Sequence, residues 1–333
     1  MTEQAGLDGS ARTRAELLKA DHWTDDAYDE FARRCLAAAR KTPLFRGIAH
    51  FSNNIVDFAV RPAGADPFPA AGGLPWDEEV ETEGRPGRQL LRCVADFSTT
   101  LDRLETGYLM RVLAVTTGGA MHYGRLKRGQ HLVSVTLADD GVDALDWMMN
   151  DTVADIREAV LHQPDEHLGG DKNRPLRALD GPQDINFEAD RTADQALVSV
   201  LRSDWRSLVN RHDLQYAAYY RDWALVCAGD ALGDRLISPH LVGVVAAAKR
   251  AMYHDIAFRL RTTVASLAEP LQSIGLSGLT RLVLDVQEGA VYIHWLGEGE
   301  GDFVLGVTLD QFEVANAETR LRELVRGIAA AGS

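Results

Sequence analysis

Cysteine is scarce in this chain: three residues in 333, at 35, 93 and 227, none within a CxxC pair. An odd, scattered set of thiols is not a disulfide framework and is expected to stay reduced in a cytoplasm. Lysine is nearly as rare, standing only at 19, 41, 127, 172 and 249, while the net charge is −14. That acidity argues against nucleic acid and anionic membranes, whose binding rests on clustered Lys and Arg. Arginine in place of lysine, with abundant Ala and Asp, is the usage of a high-GC bacterial genome. Long apolar runs are also missing: Leu241–Ala248 stops at Lys249, far short of the ~20 residues of a membrane span. The first residues have no apolar core and do not read as a secretory signal. No GxxxxGK[ST], GxSxG or HExxH occurs, no GxGxxG follows a strand, and no nucleophile stands beside a base. Gly297, Gly299 and Gly301 lie among glutamates, which repel phosphate. The expectation is therefore no cofactor and no catalytic residue.

What the chain does have is a copy of itself. Shifted by 172 positions, 107–137 falls ungapped on 279–309, setting His122 on His294, Gly129 on Gly301 and Val135-Thr136-Leu137 on Val307-Thr308-Leu309. Only five of these 31 positions are identical, so the weight rests on order: three apolar strands at hairpin spacing run into a helical pattern in both copies. A period this long exceeds the ~20–50 residues of a solenoid unit and matches a whole domain.

Each half reads α-β-β-α-β-β-β-α. In the first, 25–40 has helical spacing (Tyr28, Phe31, Cys35, Ala38), and 45–61 reads as a hairpin about Asn53-Asn54. Residues 62–87 form a Pro/Gly-rich acidic loop, and 88–105 is a helix with Leu91, Val94, Phe97, Leu101 and Leu104 in one stripe. Strands at 108–116, 119–125 and 131–137 and a helix at 141–163 complete it. The second half runs through a helix at 194–209, a hairpin at 214–229 turning at Arg221-Asp222, and a long helix at 239–267 opened by Ser238-Pro239. The repeated strands and a helix at about 311–329 follow. The expected organisation is a tail at 1–24, domains at 25–163 and 194–330, and a linker at 164–193.

The order of these elements, and above all 279–328 with the hairpin and long helix at 214–253, resembles the roadblock family of dynein light chains and the longin-like fold. The resemblance covers 194–330 closely and 25–163 more loosely, because the 62–87 insertion separates hairpin from helix. Where the family usually has a Gly-containing hairpin turn, this chain has Asn53-Asn54 and Arg221-Asp222. Roadblock domains pair with long helices side by side and sheets edge to edge, so two copies imply an internal pseudo-dimer of α+β modules, which covers exposed strand edges. On the long helix, Leu241, Ala248, Met252, Ile256 and Leu260 form one apolar face and Val244, Ala247, Ala251 and Phe258 another. The expected pairing residues are Phe97, Leu101, Ala251 and Phe258.

Five groups are candidate sites. Asp151, Asp155, Glu158 and His162, with the following His167, have the donor chemistry of a divalent-metal site, but Val142, Leu145, Met149, Val153, Ile156 and Val160 take the face opposite the first four, which are expected to meet solvent. His122 and His294 read as sheet histidines. His254 and Asp255 are helix neighbours about 100° apart and do not face each other. Tyr216, Tyr219, Tyr220 and Trp223 read first as sheet core, with a ligand pocket or partner surface as the functional alternative. Trp76, among acidic residues in the 62–87 loop, is a candidate docking anchor.

The resemblance implies a cytoplasmic, non-enzymatic platform or regulator for a small GTPase or related signalling partner. The rival is an enzyme or small-molecule-binding protein of a biosynthetic pathway, using the Tyr216–Trp223 cluster as its pocket.

Overall fold

The computed structural model describes residues 14–23, 25–42, 44–69, 78–163, 167–171, 173–241, 243–297 and 301–331. The first half contains β1 (Ala15–Lys19), α1 (Asp25–Ala39), β2 (Phe45–Ser52), β3 (Ile55–Pro62), α2 (Glu79–Leu101), β4 (Leu109–Thr116), β5 (Gly119–Lys127), β6 (Gln130–Thr136) and α3 (Val142–Ala159). The second contains β7 (Asn186–Ala189), α4 (Gln195–Leu208), β8 (Tyr216–Arg221), β9 (Ala224–Asp230), α5 (Ala246–Ser266), α6 (Ala268–Gln272), β10 (Leu279–Val286), β11 (Gly289–Trp295), β12 (Phe303–Thr308) and α7 (Val314–Ala331). The two halves share one antiparallel sheet of twelve strands in the order β1-β3-β2-β6-β5-β4-β10-β11-β12-β8-β9-β7. The join is β4 on β10, so the inner edge of each half is buried by the other.

Strand alternation sends side chains to both faces, and both are covered. On one face, Phe51, Val112, Leu282 and Leu284 pack with Leu90 and Phe97 of α2 and with Tyr253 and Leu260 of α5. On the other, Ile48, Leu113 and Val283 pack with Phe31 of α1, Met149 of α3, Trp205 of α4 and Leu321 of α7. The result is a helix–sheet–helix sandwich. No helix among the described residues is long and apolar enough to cross a membrane.

The segments read as tail and linker each contribute a strand. β1 lies outside β3 and β7 outside β9, so both halves run β-α-β-β-α-β-β-β-α. Five and four residues long, β1 without alternation and β7 with only two alternating pairs, these edge strands carry little signal.

The repeat register differs from the ungapped one. Leu113 pairs with His122, and His122 with Ser134; Val283 pairs with Tyr292, and Tyr292 with Gly306. Tyr292, not His294, is therefore the counterpart of His122. The spacing is 170 from β4 and β5 to β10 and β11, and returns to 172 at Thr136 and Thr308 because the β11–β12 connection holds two extra residues. In this register Leu109, Arg111, Gly119 and Ala120 meet Leu279, Arg281, Gly289 and Ala290. Gly119 (φ +153) and Gly289 (φ +150) are required: a Cβ at either would lie 2.2 or 2.0 Å from the carbonyl oxygen of Thr136 or Thr308.

Asn53 and Asn54 have φ of 51° and 67° and make the two-residue turn. In the second hairpin the turn residues are Asp222 and Trp223, at 49° and 65°, one position later than the sequence predicts. Two more boundaries shift. α2 begins at Glu79, inside the segment read as loop, and carries Pro86 in its second turn. α5 begins at Ala246, and Ser238-Pro239 instead opens a 3-10 turn.

Candidate functional site

α2 and α5 lie antiparallel over the seam. Gln89 Nε2 donates to Glu269 Oε1 at 3.0 Å, Cys93 Sγ to the Ser266 carbonyl at 3.4 Å, and Lys249 Nζ to the Leu104 carbonyl at 2.7 Å. Arg103 approaches Asp255 to 3.7 Å at the far end. Phe97 and Leu101 are buried here. Ala251 and Phe258 are not: Ala251 is exposed and Phe258 is 56% exposed. The pairing side of α5 is polar at Lys249 and Asp255, which an apolar-face reading passes over.

The two helices end differently. α2 runs unbroken to Leu101, whereas α5 breaks at Leu267 and resumes as α6. Beside that break lies a cleft of about 700 Å³, lined by Val264, Leu267, Leu271, Leu276, Leu279 and Trp295, with Thr117 reaching in from the first half. Trp295 and Val264 also border a smaller hollow walled by Trp223, Leu260, Arg261 and Phe303. Where Trp295 stands in the second half the first half has Arg125, whose guanidinium lies 3.6 Å from the Tyr108 ring centroid.

The predicted aromatic cluster does not converge on one cavity. Tyr216 and Tyr220 belong to the core under α5, and Tyr219 to the opposite one. Tyr220 stacks on Phe303 at 4.7 Å. Its phenol lies 2.9 Å from His254 Nδ1, and His254 Nε2 lies 3.3 Å from Glu188 Oε1. A carboxylate only accepts, so Nε2 donates and Nδ1 takes the phenol proton's hydrogen bond. Burial holds the Tyr216 and Tyr220 phenols above their usual range, and they stay neutral. Only Trp223 is half-buried, with Phe303 at 5.0 Å and the Arg261 guanidinium over its ring at 5.0 Å.

Under α3 and α7 the seam is charged. Arg111 Nε donates to Asp285 Oδ2 at 2.8 Å across the β4–β10 pair, and its Nη1 to Asp146 Oδ1 at 2.6 Å. Gly169 N also donates to Asp285, and His122 Nε2 lies 3.1 Å from Asn150 Oδ1 and 3.4 Å from Asp146 Oδ1. The repeat-equivalent Arg281 donates to Glu318 at 2.6 Å and approaches Asp143 of the other half to 3.7 Å. Burial opposes charge on Arg111, Asp146, Asp285 and Glu318. Arg111 nonetheless stays above its usual range because Asp146 and Asp285 face it, and Asp146 stays below its own because of Arg111 and His122. Asp285 and Glu318 are raised by burial despite their arginines. Of this cluster only His122 was singled out in the sequence, as a sheet histidine; the further signal was one arginine recurring at spacing 170 in a run of apolar residues.

The remaining candidates separate. Asp155 and Glu158 are exposed on α3, His162 is exposed beyond the helix end at φ 55° and so leaves their face, and Asp155 pairs with Arg34. Among the described residues no three His, Cys, Asp or Glu side chains gather as metal ligands. His254 and Asp255 diverge, Asp255 accepting from Arg259 at 2.5 Å. His294 is a buried sheet residue, opposite Arg281 and Val304. Trp76 lies outside the described residues.

No protein-family model matches this chain, and comparison with curated proteins finds no match.

Proposed function

We propose that this chain is a non-catalytic regulatory or scaffold protein, presenting the α2–α5 layer and the cleft beside α6 to a protein partner. The partner class that the roadblock resemblance points to is a small GTPase. The observation that supports the reading is the pairing of β4 with β10: it uses up the inner edge of each half and brings two long helices side by side, leaving Ala251 and Phe258 of α5, and Val245 just before it, exposed. Exposed apolar side chains grouped on one layer are the surface property of a protein-binding face. The cleft at 264–296 adjoins it, with Trp295 as the aromatic group most able to anchor a partner side chain.

The test is capture from native lysate on the immobilised chain, with GDP or a non-hydrolysable GTP analogue added, read by mass spectrometry. A GTPase retained in one nucleotide state, and lost on Phe258→Asp or Trp295→Ala, is the expected result. Retention of no nucleotide-sensitive partner removes the GTPase assignment.

A further inference from the structure

A second cavity, of about 460 Å³, lies away from the helix pair, between the 174–177 segment, the turn after α4, the 3-10 turn preceding α5 and the start of α7. Its volume is that of a small-molecule site, which typically spans ~300–1,000 Å³. In a chain of net charge −14 its lining is unusual: Arg174, Arg177, Arg211, His212 and His240 stand against Asp310 and Glu313. Both acids are engaged by one arginine, since Arg174 Nη1 lies 3.4 Å from Asp310 and 2.8 Å from Glu313. Arg211 reaches Asp234 at 3.3 Å, and its Nε donates to His212 Nε2 at 3.3 Å.

Arg177 is different. Its guanidinium has no ion-pair partner among the described residues, yet its backbone is fixed. Arg320 Nη2 donates to the Arg177 carbonyl at 2.5 Å, and Arg320 is itself held by the buried Asp213 at 2.7 and 2.8 Å. An anchored backbone therefore presents an uncompensated cation beside a cavity. The far wall is apolar, formed by Leu236, Ile237 and Leu309. His212 reports the local field: burial first, then Arg177 and Arg211, lower its pKa, outweighing Asp213 and Glu313.

We propose that this cavity binds a small phosphate monoester, its phosphate held by Arg177, Arg211 and His212 and its organic body resting on Leu236, Ile237 and Leu309. Phosphate fits better than a single carboxylate because a guanidinium fork meets two of its oxygens while the dianion answers more than one positive group. The proposal is independent of the protein-partner reading and uses none of its residues.

The test is isothermal titration of the full chain with inorganic phosphate and with phenyl phosphate, against sodium chloride at matched ionic strength. Saturable one-to-one binding is expected, tighter for phenyl phosphate because of the apolar wall. Arg177→Gln, at an exposed position, is expected to weaken it about tenfold, the effect of losing one charge-assisted contact. Absence of saturable binding, or binding unchanged by both Arg177→Gln and His212→Gln, overturns the proposal.

Discussion

Leu113 of β4 and Val283 of β10 pair directly across the seam, and each is the other's counterpart in the repeat. The local two-fold axis therefore passes between them. Two positions away on either side stand the equivalent arginines, but their surroundings are unequal: Arg111 faces Asp285, whereas Arg281 faces Val115.

That inequality sets the outcome of removing each arginine. Arg111→Ala leaves buried Asp285 with only the Gly169 N–H and half-buried Asp146 with only His122, and loss of one partner of a buried ion pair costs about 3–5 kcal/mol. Arg281→Ala leaves Glu318 still accepting from Arg322 Nη2 at 2.9 Å, and that carboxyl, already raised by burial, can accept a proton. Urea unfolding at pH 7 is expected to show a clearly larger loss for Arg111→Ala. Equal losses would mean that the cross-seam Asp285 contact adds nothing.

Acid should destabilise the chain well before its carboxylates are protonated. Burial, then Arg281, pushes His294 down to about 3; burial, then Arg125 and His50, pushes His131 down to about 4. An unfolded histidine binds its proton near pH ~6.5, so the unfolded state holds more protons below that value. The stability these groups contribute is complete above pH ~6.5 and is lost as pH falls toward the folded values, at up to ~1.4 kcal/mol per pH unit for each histidine. Urea midpoints between pH 7.5 and 4.5 should fall, and His294→Gln should flatten that slope. An unchanged slope in both His294→Gln and His131→Gln would assign the acid limb to other groups.

The plan of two α+β copies was legible because apolar periodicity is strong where a face is buried, as along α3, where Val142, Leu145, Met149, Val153 and Ile156 all lie inside. The two-residue slip in the repeat was not, because His122 and His294 match in type while the strand partners that fix register are invisible in one dimension. The second turn shows a similar limit. Left-handed backbone is unusual for a bulky residue, so Trp223 is a poor turn signal, yet Phe303 and Arg261 hold its ring in place. Helix periodicity placed Phe258 in an interface by its apolarity alone. The actual interface uses Lys249, whose ammonium reaches a carbonyl of the other half.

The second half on its own is expected to pair with itself, and the reason lies in β10. If two β10 strands meet antiparallel about Val283, each Arg281 falls opposite the other strand's Asp285, because both residues lie two positions from Val283 on the same face. The charges that flank the native seam are then satisfied twice over by a symmetric dimer, and the exposed edge is covered. The first half lacks this property: about Leu113, Arg111 would fall opposite Val115, leaving two arginines without a cross-strand carboxylate. Residues 173–333 should therefore run as a dimer in size-exclusion chromatography with light scattering. Asp285→Arg, which sets like charges opposite each other, should shift that species to monomer. A monomeric second half that is folded by circular dichroism would show that α2 packed on α5, rather than strand complementarity, holds the two copies together.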